Sequence, residues 1–258
     1  MKDSIYISLI IGSLSMSCEP SGSNSSKPDA QAIVDSALTR SNLHLLQDAS
    51  ATFDFRDRSY SYKMNGDLFE YTRLFTDSTG THTYDVLTNE GLTRTINGVE
   101  QQLLEERRNA YSNSVNSVIY FAFLPFRLND AAVIKTYLGS VKILDKMYHK
   151  IMVTFSQEGG GEDYQDVFIY WFDSEDYSMD FLAYEYETNG GGVRFREATN
   201  PRDINGIRIQ DYINYKPVKG DNFKLIEIDQ YFEQGKLEKL STIDLKNVNI
   251  ITNTQTNK

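Results

Sequence analysis

The chain has 258 residues, in which 36 acidic side chains outnumber 26 basic ones and leave a formal net charge of −10. Proteins that bind nucleic acid neutralise phosphates with a basic surface, so this balance disfavours a nucleic-acid partner. Cys18 is the one cysteine in the sequence. An intramolecular disulfide and a zinc site built on several cysteines are therefore excluded.

The N-terminus is typical of a secreted and anchored protein. An apolar stretch in residues 1–17 is shorter than the ~20 residues of a membrane-spanning helix and predicts a signal peptide. Cys18 and a Ser-, Gly- and Pro-rich tether follow over residues 18–29. This arrangement resembles the lipobox and linker of bacterial lipoproteins, with Ser15 standing where that motif has Leu. The alternative is an ordinary secretory signal followed by an unmodified cysteine.

The lipoprotein resemblance implies that the signal is cleaved before Cys18 and that Cys18 is lipidated. Several acyl chains hold a protein stably on a membrane, because each buried CH₂ contributes about 0.8 kcal/mol. We therefore expect a lipid-anchored protein of a Gram-negative cell envelope, at the outer membrane or its periplasmic face, with the membrane as one partner.

The first part of the chain after the tether predicts helices and hairpins. Apolar residues at helical spacing predict an amphipathic helix over residues 29–46, a longer helix over 101–122 and a short one over 130–138. From Thr52 the apolar period changes to two, and turn signals such as Asn97-Gly98 divide the segment into hairpins.

The second part predicts strand after strand. Short loops at near-regular spacing indicate antiparallel neighbours, since parallel pairing needs long crossovers. No linker interrupts residues 30–252, so we expect one α+β domain followed by a polar tail at 253–258. Its design is a large curved antiparallel sheet, a half-barrel, covered on one face by two or three helices. The strands are predicted over residues 141–144, 148–157, 166–172, 179–187, 193–197, 207–215, 223–232 and 240–248.

An aromatic cluster at the end of the second predicted helix is the first candidate site. It exceeds what one helix face can bury, so it is either a core plug or the mouth of an apolar cavity between sheet and helices. Its members are Tyr120, Phe121, Phe123, Leu124 and Phe126.

Four arginines form the second candidate site. Arg194 and Arg196 share one face of a predicted strand, and Arg56 and Arg58 lie in a hairpin. Guanidinium groups bind the anionic head groups of lipids or acidic sugars, so these residues are candidate anion ligands. The alternative is cross-strand pairing with the abundant acidic side chains.

Other chemistry has little support in the sequence. His44, His82 and His149 show no zinc-site spacing, and no nucleophile motif or phosphate-binding loop is present. No metal ion or cofactor is therefore expected.

The order of elements looks like that of the LolA/LolB-like carriers and receptors of outer-membrane lipoproteins, whose half-barrel sheet and helices enclose an apolar cavity. Several strings are similar to a family of Gram-negative envelope lipoproteins of unknown function. They are Phe55-Arg56-Asp57-Arg58, residues 121–128, Tyr148-His149-Lys150, residues 155–164 and residues 190–197. The resemblance implies the fold and the compartment, and it implies no established activity.

Three functions follow as hypotheses. The first is a membrane-anchored protein that binds an acyl chain or another apolar ligand in a cavity between sheet and helices, without catalysis. The second is an envelope enzyme in which Arg56, Arg194, Arg196 and His149 converge on an acidic small molecule. The third is a glycan-binding lipoprotein, which requires rows of exposed tyrosines.

Overall fold

The structure, a computed structural model, describes residues 28–158, 164–186, 190–218 and 224–252. Cys18, most of the predicted tether and the polar tail lie outside this described part of the chain. Within it the helices are α1 Ala30–Arg40, α2 Glu105–Ala122 and α3 Ile228–Glu233, with short 3-10 turns at Leu43–Gln47, Phe126–Asn129 and Leu225–Glu227. The strands are β1 Asp48–Phe55, β2 Arg58–Asn65, β3 Leu68–Thr76, β4 His82–Thr88, β5 Gly91–Ile96, β6 Val99–Glu100, β7 Val133–Ile143, β8 Lys146–Phe155, β9 Val167–Asp173, β10 Met179–Tyr186, β11 Gly192–Ile204, β12 Ile207–Pro217, β13 Leu237–Ile243 and β14 Leu245–Thr252.

The described strands form two seven-stranded sheets rather than the one large sheet that was predicted. Sheet A has the order β14-β1-β2-β3-β4-β5-β6, and sheet B has the order β13-β12-β11-β10-β9-β8-β7. Neighbours pair antiparallel in both sheets, which confirms the prediction from the short turns. Neither sheet closes on itself, because each order ends in two different edge strands.

One segment at the end of the described chain connects the two sheets. Its first half, β13, pairs with β12 in sheet B, and its second half, β14, pairs with β1 in sheet A. Side chains add to this connection: Asp211 Oδ1 accepts a hydrogen bond from the Leu245 backbone N–H at 2.9 Å. Arg202 donates to the carbonyl of Leu245 at 2.8 Å. The two sheets therefore meet along this segment.

Period-two patterning places the main core on the inner faces of both sheets. In β2, Tyr60, Tyr62 and Met64 are buried, whereas the neighbouring Ser59, Lys63 and Asn65 are exposed. Residues i and i+2 of a strand point to the same face, so this alternation predicts one buried face. The inner faces share this core with α1 and α2.

Helix α1 contributes one apolar side to the same core. The Asp29 carboxylate accepts a hydrogen bond from the Gln31 backbone N–H at 3.1 Å and caps the first turn. Ile33, Val34 and Leu38 are buried at the spacing of one helix face. Burying such side chains contributes roughly 1.5–3 kcal/mol each, which holds a short helix in place.

Helix α2 is attached to sheet A by buried charges. Arg73 of β3 and Arg94 of β5 lie on either side of Asp85 in β4, with nearest N···O distances of 2.7 and 2.6 Å. Arg73 also donates to the Ser114 hydroxyl of α2 at 2.7 Å, and the Arg94 guanidinium lies 3.4 Å from the ring centre of Tyr111. We call Arg73, Asp85 and Arg94 the Asp85 triad.

Helix α3 covers the outer face of sheet B, so the helices do not all lie on one face. Phe232 packs on Phe195 and Phe181 with ring centres 4.8 and 5.4 Å apart. The predicted strand over residues 223–232 is therefore wrong in its described part, because Ile228 and Phe232 bury one face of a helix. The predicted short helix over 130–138 is also wrong: β7 starts at Val133, where it pairs with β8.

No described helix combines the length and the apolar composition that crossing a membrane requires.

Candidate functional site

A cavity of about 280 Å³ lies between the C-terminal half of α2 and the inner face of sheet B. We call it the arginine cavity. It is lined by Phe55, Arg56, Ser117, Val118, Phe121, Ala122, Tyr184, Arg196, Gln210, Tyr212, Asn214, Ser241, Ile243 and Leu245. The apolar wall comes from α2 and from the segment that connects the sheets, and the polar wall comes from the middle of sheet B.

The polar wall follows from the register of four strands. Arg196 of β11 is opposite Leu182 of β10 on one side and opposite Asn214 of β12 on the other. Asn214 is in turn opposite Ser241 of β13. Directly opposite residues have Cβ atoms about 4.5–5.5 Å apart, so these side chains form a row across the inner face.

Arg196 is the dominant charge of this wall. The residue is 7% exposed, and its guanidinium carbon lies 3.9 Å from the ring centre of Phe121. Nη2 donates a hydrogen bond to the Tyr184 hydroxyl at 2.9 Å. Nε is buried and has no hydrogen-bond partner among the described residues. The guanidinium forms no ion pair with any carboxylate of residues 28–158, 164–186, 190–218 or 224–252.

The neighbouring polar groups are neutral. Burial raises the pKa of Tyr212 to about 12, although its hydrogen bond from Gln210 and the charge of Arg196 act in the opposite direction. The Tyr212 phenol therefore keeps its proton at neutral pH and provides no negative charge. Asn214 Nδ2 donates to the Ser241 hydroxyl at 3.4 Å, while its Oδ1 is buried and unpartnered.

Arg56 lies at the rim of the same cavity. It occupies the turn between β1 and β2 with a φ of 58°, in the left-handed region that L-residues rarely adopt. Its side chain is exposed, and its guanidinium lies 5.1 Å from the ring centre of Phe55. Arg56 thus adds a solvated positive charge at the entrance.

A second cavity, of about 230 Å³, lies on the other side of α2 and is called the tyrosine cavity. Tyr62, Tyr71 and Tyr120 line it together with Phe123 and Phe126. Burial raises the pKa of Tyr120 to about 12, and its hydroxyl lies 3.3 Å from that of Tyr170.

The charges of the tyrosine cavity are paired, unlike Arg196. Arg127 Nε lies 2.8 Å from a carboxylate oxygen of Asp130, and both residues line the cavity. Burial raises the pKa of the Asp130 carboxyl, while Arg127 acts to lower it.

The predicted aromatic cluster is distributed over three cavities. Phe121 faces the arginine cavity, whereas Tyr120, Phe123 and Phe126 face the tyrosine cavity. Leu124 lines a third cavity of about 290 Å³. Phe123 and Leu124 are also buried in the main core. The cluster therefore combines the two alternatives considered for it, part core and part cavity wall.

The structure brings two of the four predicted anion ligands together. Arg56 and Arg196 line one cavity, whereas Arg58 packs over Phe75 with its guanidinium 4.6 Å from the ring centre. Arg194 donates to the carbonyl of Val193 at 2.9 Å and lies over Tyr186, outside the cavity lining.

His149 does not join these arginines. Its Nδ1 lies 3.3 Å from the Tyr137 hydroxyl, and its ring stacks on Tyr177 at 5.9 Å. Burial lowers the pKa of His149, while the charge of Asp173 raises it. Across the described ranges no cluster of His, Cys, Asp and Glu has the arrangement of a metal site.

Sequence reasoning missed the polar residues of β12. Gln210, Tyr212 and Asn214 follow a period of two and are all buried, although two of them are amides. Side chains two residues apart in a strand point to the same face, so Gln210 and Asn214 were predictable as neighbours on one face. Buried amides need hydrogen-bond partners, and this repetition was therefore a signal for a polar inner wall.

The comparisons with known proteins give a family and a fold. A family of unknown function, DUF6503, matches residues 17–245. The chain belongs to this family. No curated protein matches the sequence of this DUF6503 protein.

Two solved structures resemble the DUF6503 fold. A LolA superfamily protein from Nitrosomonas europaea has a TM-score of 0.50 and 14% identity, covering 86% of this chain and 94% of that chain. A DUF1329 family protein from Desulfovibrio piger has a TM-score of 0.50 and 12% identity, covering 85% and 92%. The predicted LolA-like fold is confirmed, and at these identities the likeness concerns the fold alone.

Proposed function

We propose that this DUF6503 protein is an envelope lipoprotein, anchored by acyl chains on Cys18, that binds one apolar chain in the arginine cavity. The observation that carries the proposal is the cavity itself, roofed by Val118, Phe121 and Ala122 of α2. Ligand cavities are typically concave, lined mostly by apolar and aromatic groups, and provided with a few polar groups that orient the ligand. The LolA-like fold supports the same proposal.

Binding is favoured over catalysis by the positions of the candidate groups. The enzymatic hypothesis needs Arg56, Arg194, Arg196 and His149 in one cleft, and only Arg56 and Arg196 share a cavity. The glycan hypothesis needs rows of exposed tyrosines, and Tyr84 is the one exposed tyrosine among the described residues.

The binding proposal is tested with the uncharged fluorescent probe N-phenyl-1-naphthylamine. We use the full-length chain with Cys18→Ser, so that no acyl chains of its own compete for the cavity. Val118→Trp fills the arginine cavity from the side of α2. We expect this variant to weaken probe binding by about ten-fold or more. The indole ring would occupy the cavity, so the probe could no longer bury its apolar surface there.

The matched control is Asn116→Trp, which places the same ring at the rim of the tyrosine cavity. It is expected to leave probe binding within about two-fold, as surface substitutions usually change little. If Asn116→Trp abolishes binding and Val118→Trp does not, the ligand occupies the tyrosine cavity. If the probe does not bind the parent chain at all, the binding proposal is wrong.

The anchor is tested separately by labelling in Gram-negative cells. With radioactive palmitate, the natural chain is expected to become labelled and to sediment with membranes. Cys18→Ser is expected to lose the label, because the thiol is the acylation point. An unlabelled natural chain would show that the cysteine is unmodified.

A further inference from the structure

We infer that the arginine cavity is built for a single-chain amphiphile with a monoanionic head group, a carboxylate held by Arg196. The inference rests on the proposed function and adds the chemical class of the ligand. The apolar chain would lie along Phe121 and Ile243, and the head group would meet the guanidinium in the row across sheet B.

The first argument is the uncompensated charge of Arg196. Of the three arginines buried in the described residues, Arg73 and Arg94 share Asp85, and Arg196 has no carboxylate. A buried charge is costly unless it is paired, and an arginine cannot relieve that cost by losing its proton. A buried guanidinium that no carboxylate of the described residues neutralises therefore points to an anion supplied from outside the chain.

The second argument is the geometry of the unpartnered donor. Nη2 of Arg196 is used by the Tyr184 hydroxyl, and Nε has no acceptor although it is buried. Phe121 stacks on the guanidinium plane at 3.9 Å, which orients the planar fork and leaves its edge for a ligand. Carboxylates accept two parallel hydrogen bonds from such a fork.

The third argument is the size and charge of the ligand. The cavity volume of about 280 Å³ lies just below the usual range of ligand cavities, which is roughly 300–1,000 Å³. That space accommodates one chain rather than the two chains of a membrane phospholipid. One buried guanidinium compensates one negative charge, and the exposed Arg56 at the rim attracts an anion to the entrance.

The experiment compares decanoate with decanol, which share one chain and differ in the charge of the head. Both displace N-phenyl-1-naphthylamine from the full-length Cys18→Ser chain at about pH 8, where a carboxylate is ionised. We expect decanoate to bind about ten- to one-hundred-fold more tightly than decanol, as hydrogen bonds to charged groups contribute that much. Arg196→Met is expected to remove the preference, because it deletes the guanidinium to which the carboxylate would bind.

The matched control is Arg194→Met. Arg194 lies two residues away on the same face of β11, stacks on Tyr186 and does not line the cavity. We expect it to keep the full preference for decanoate. A loss in this variant equal to that in Arg196→Met would overturn the assignment of the head group to Arg196.

A second variant covers a failure of Arg196→Met to fold. Asn214→Asp places a carboxylate opposite Arg196, and we expect it to remove the preference while the neutral probe still binds.

Equal binding of decanoate and decanol to the parent chain overturns the inference and leaves the proposed function intact. If the probe and decanol fail to bind while decanoate binds, measured by calorimetry, the apolar-chain function is wrong and the anion site stands. Binding of none of them overturns both.

Discussion

Helix α2 covers two buried arginine environments that differ in one respect. Near its first half, the Asp85 triad places one carboxylate between two guanidinium groups, and the Asp85 side chain is 0% exposed. Near its second half, Arg196 lies under Phe121 with no carboxylate. In both environments a guanidinium group stacks on an aromatic ring of α2, Arg94 on Tyr111 and Arg196 on Phe121.

The difference lies in the residues that face each arginine across the sheet. Strands β3, β4 and β5 place Arg73 and Arg94 directly opposite Asp85, so both guanidinium groups contact a carboxylate of the same chain. In sheet B the residues opposite Arg196 are Leu182 and the amide Asn214, and neither carries a charge. We propose that the paired charges hold α2 on sheet A and that the unpaired Arg196 is left for a ligand.

The largest expected effect comes from breaking the triad. Asp85→Asn keeps the shape of the side chain and leaves Arg73 and Arg94 buried without a counter-charge. We expect the free energy of unfolding to fall by about 3–5 kcal/mol, measured by urea denaturation. Glu70→Gln, an exposed change in the same sheet, is expected to stay within about 0.5 kcal/mol. A similarly small effect of Asp85→Asn would show that the triad is not what holds α2.

The next substitution gives Arg196 a carboxylate partner within the chain and is expected to change stability in the opposite direction. Asn214→Asp is expected to raise the free energy of unfolding by about 1–2 kcal/mol in the absence of ligand, because it compensates a buried charge. Differential scanning calorimetry of the two chains measures the change. A destabilised variant would mean that Arg196 is already compensated by solvent in the cavity.

Removing Arg196 is expected to cost little. Arg196→Met deletes the contact with Phe121 and the hydrogen bond to Tyr184, and it also deletes the penalty of an unpaired buried charge. We expect these contributions to offset each other, leaving the free energy of unfolding unchanged within about 1 kcal/mol. Urea denaturation beside Asp85→Asn measures the contrast. A loss as large as that of Asp85→Asn would make Arg196 a structural residue.

The smallest effect concerns the pH dependence of stability and the half-buried His149. Burial lowers the folded-state pKa of His149 below its usual 6.5, with Asp173 acting in the opposite direction. Between the folded value and 6.5 the unfolded chain binds more protons, so stability falls as the pH falls through this window. His149→Gln is expected to flatten that part of the stability profile. An unchanged slope from about pH 7.5 to 5.5 would exclude His149 as its source.

The local elements and their antiparallel order could be predicted because they depend on short-range rules. Period-two alternation in segments such as β2 and short turns such as Asn97-Gly98 are visible in the sequence, and they exclude parallel pairing. The prediction failed at residues 130–138 and 223–232, where short apolar runs fit a helix or a strand equally well. Packing against β8 and against Phe195 decided those two segments.

The site was predictable in its residue types and not in its grouping. Phe121, Arg56 and Arg196 were all candidates by their own strings, in two separate sets. These three residues line one cavity because the end of α2 packs over sheet B. That contact joins segments that are far apart in the chain. The amides of β12 were missed because a polar residue in a strand is ordinarily assigned to the solvent side.

The antiparallel architecture, the family and the residue types able to bind an anion and an apolar chain follow from the amino-acid sequence. Which arginine is left without a counter-charge depends on how the strands pair in the folded protein. Arg73 and Arg196 both lie in strands among acidic neighbours, and local sequence does not distinguish them. The distinction lies in cross-strand register, which sets Asp85 opposite Arg73 and Asn214 opposite Arg196. Register is a property of the assembled sheet, because it depends on every turn and every packed face together.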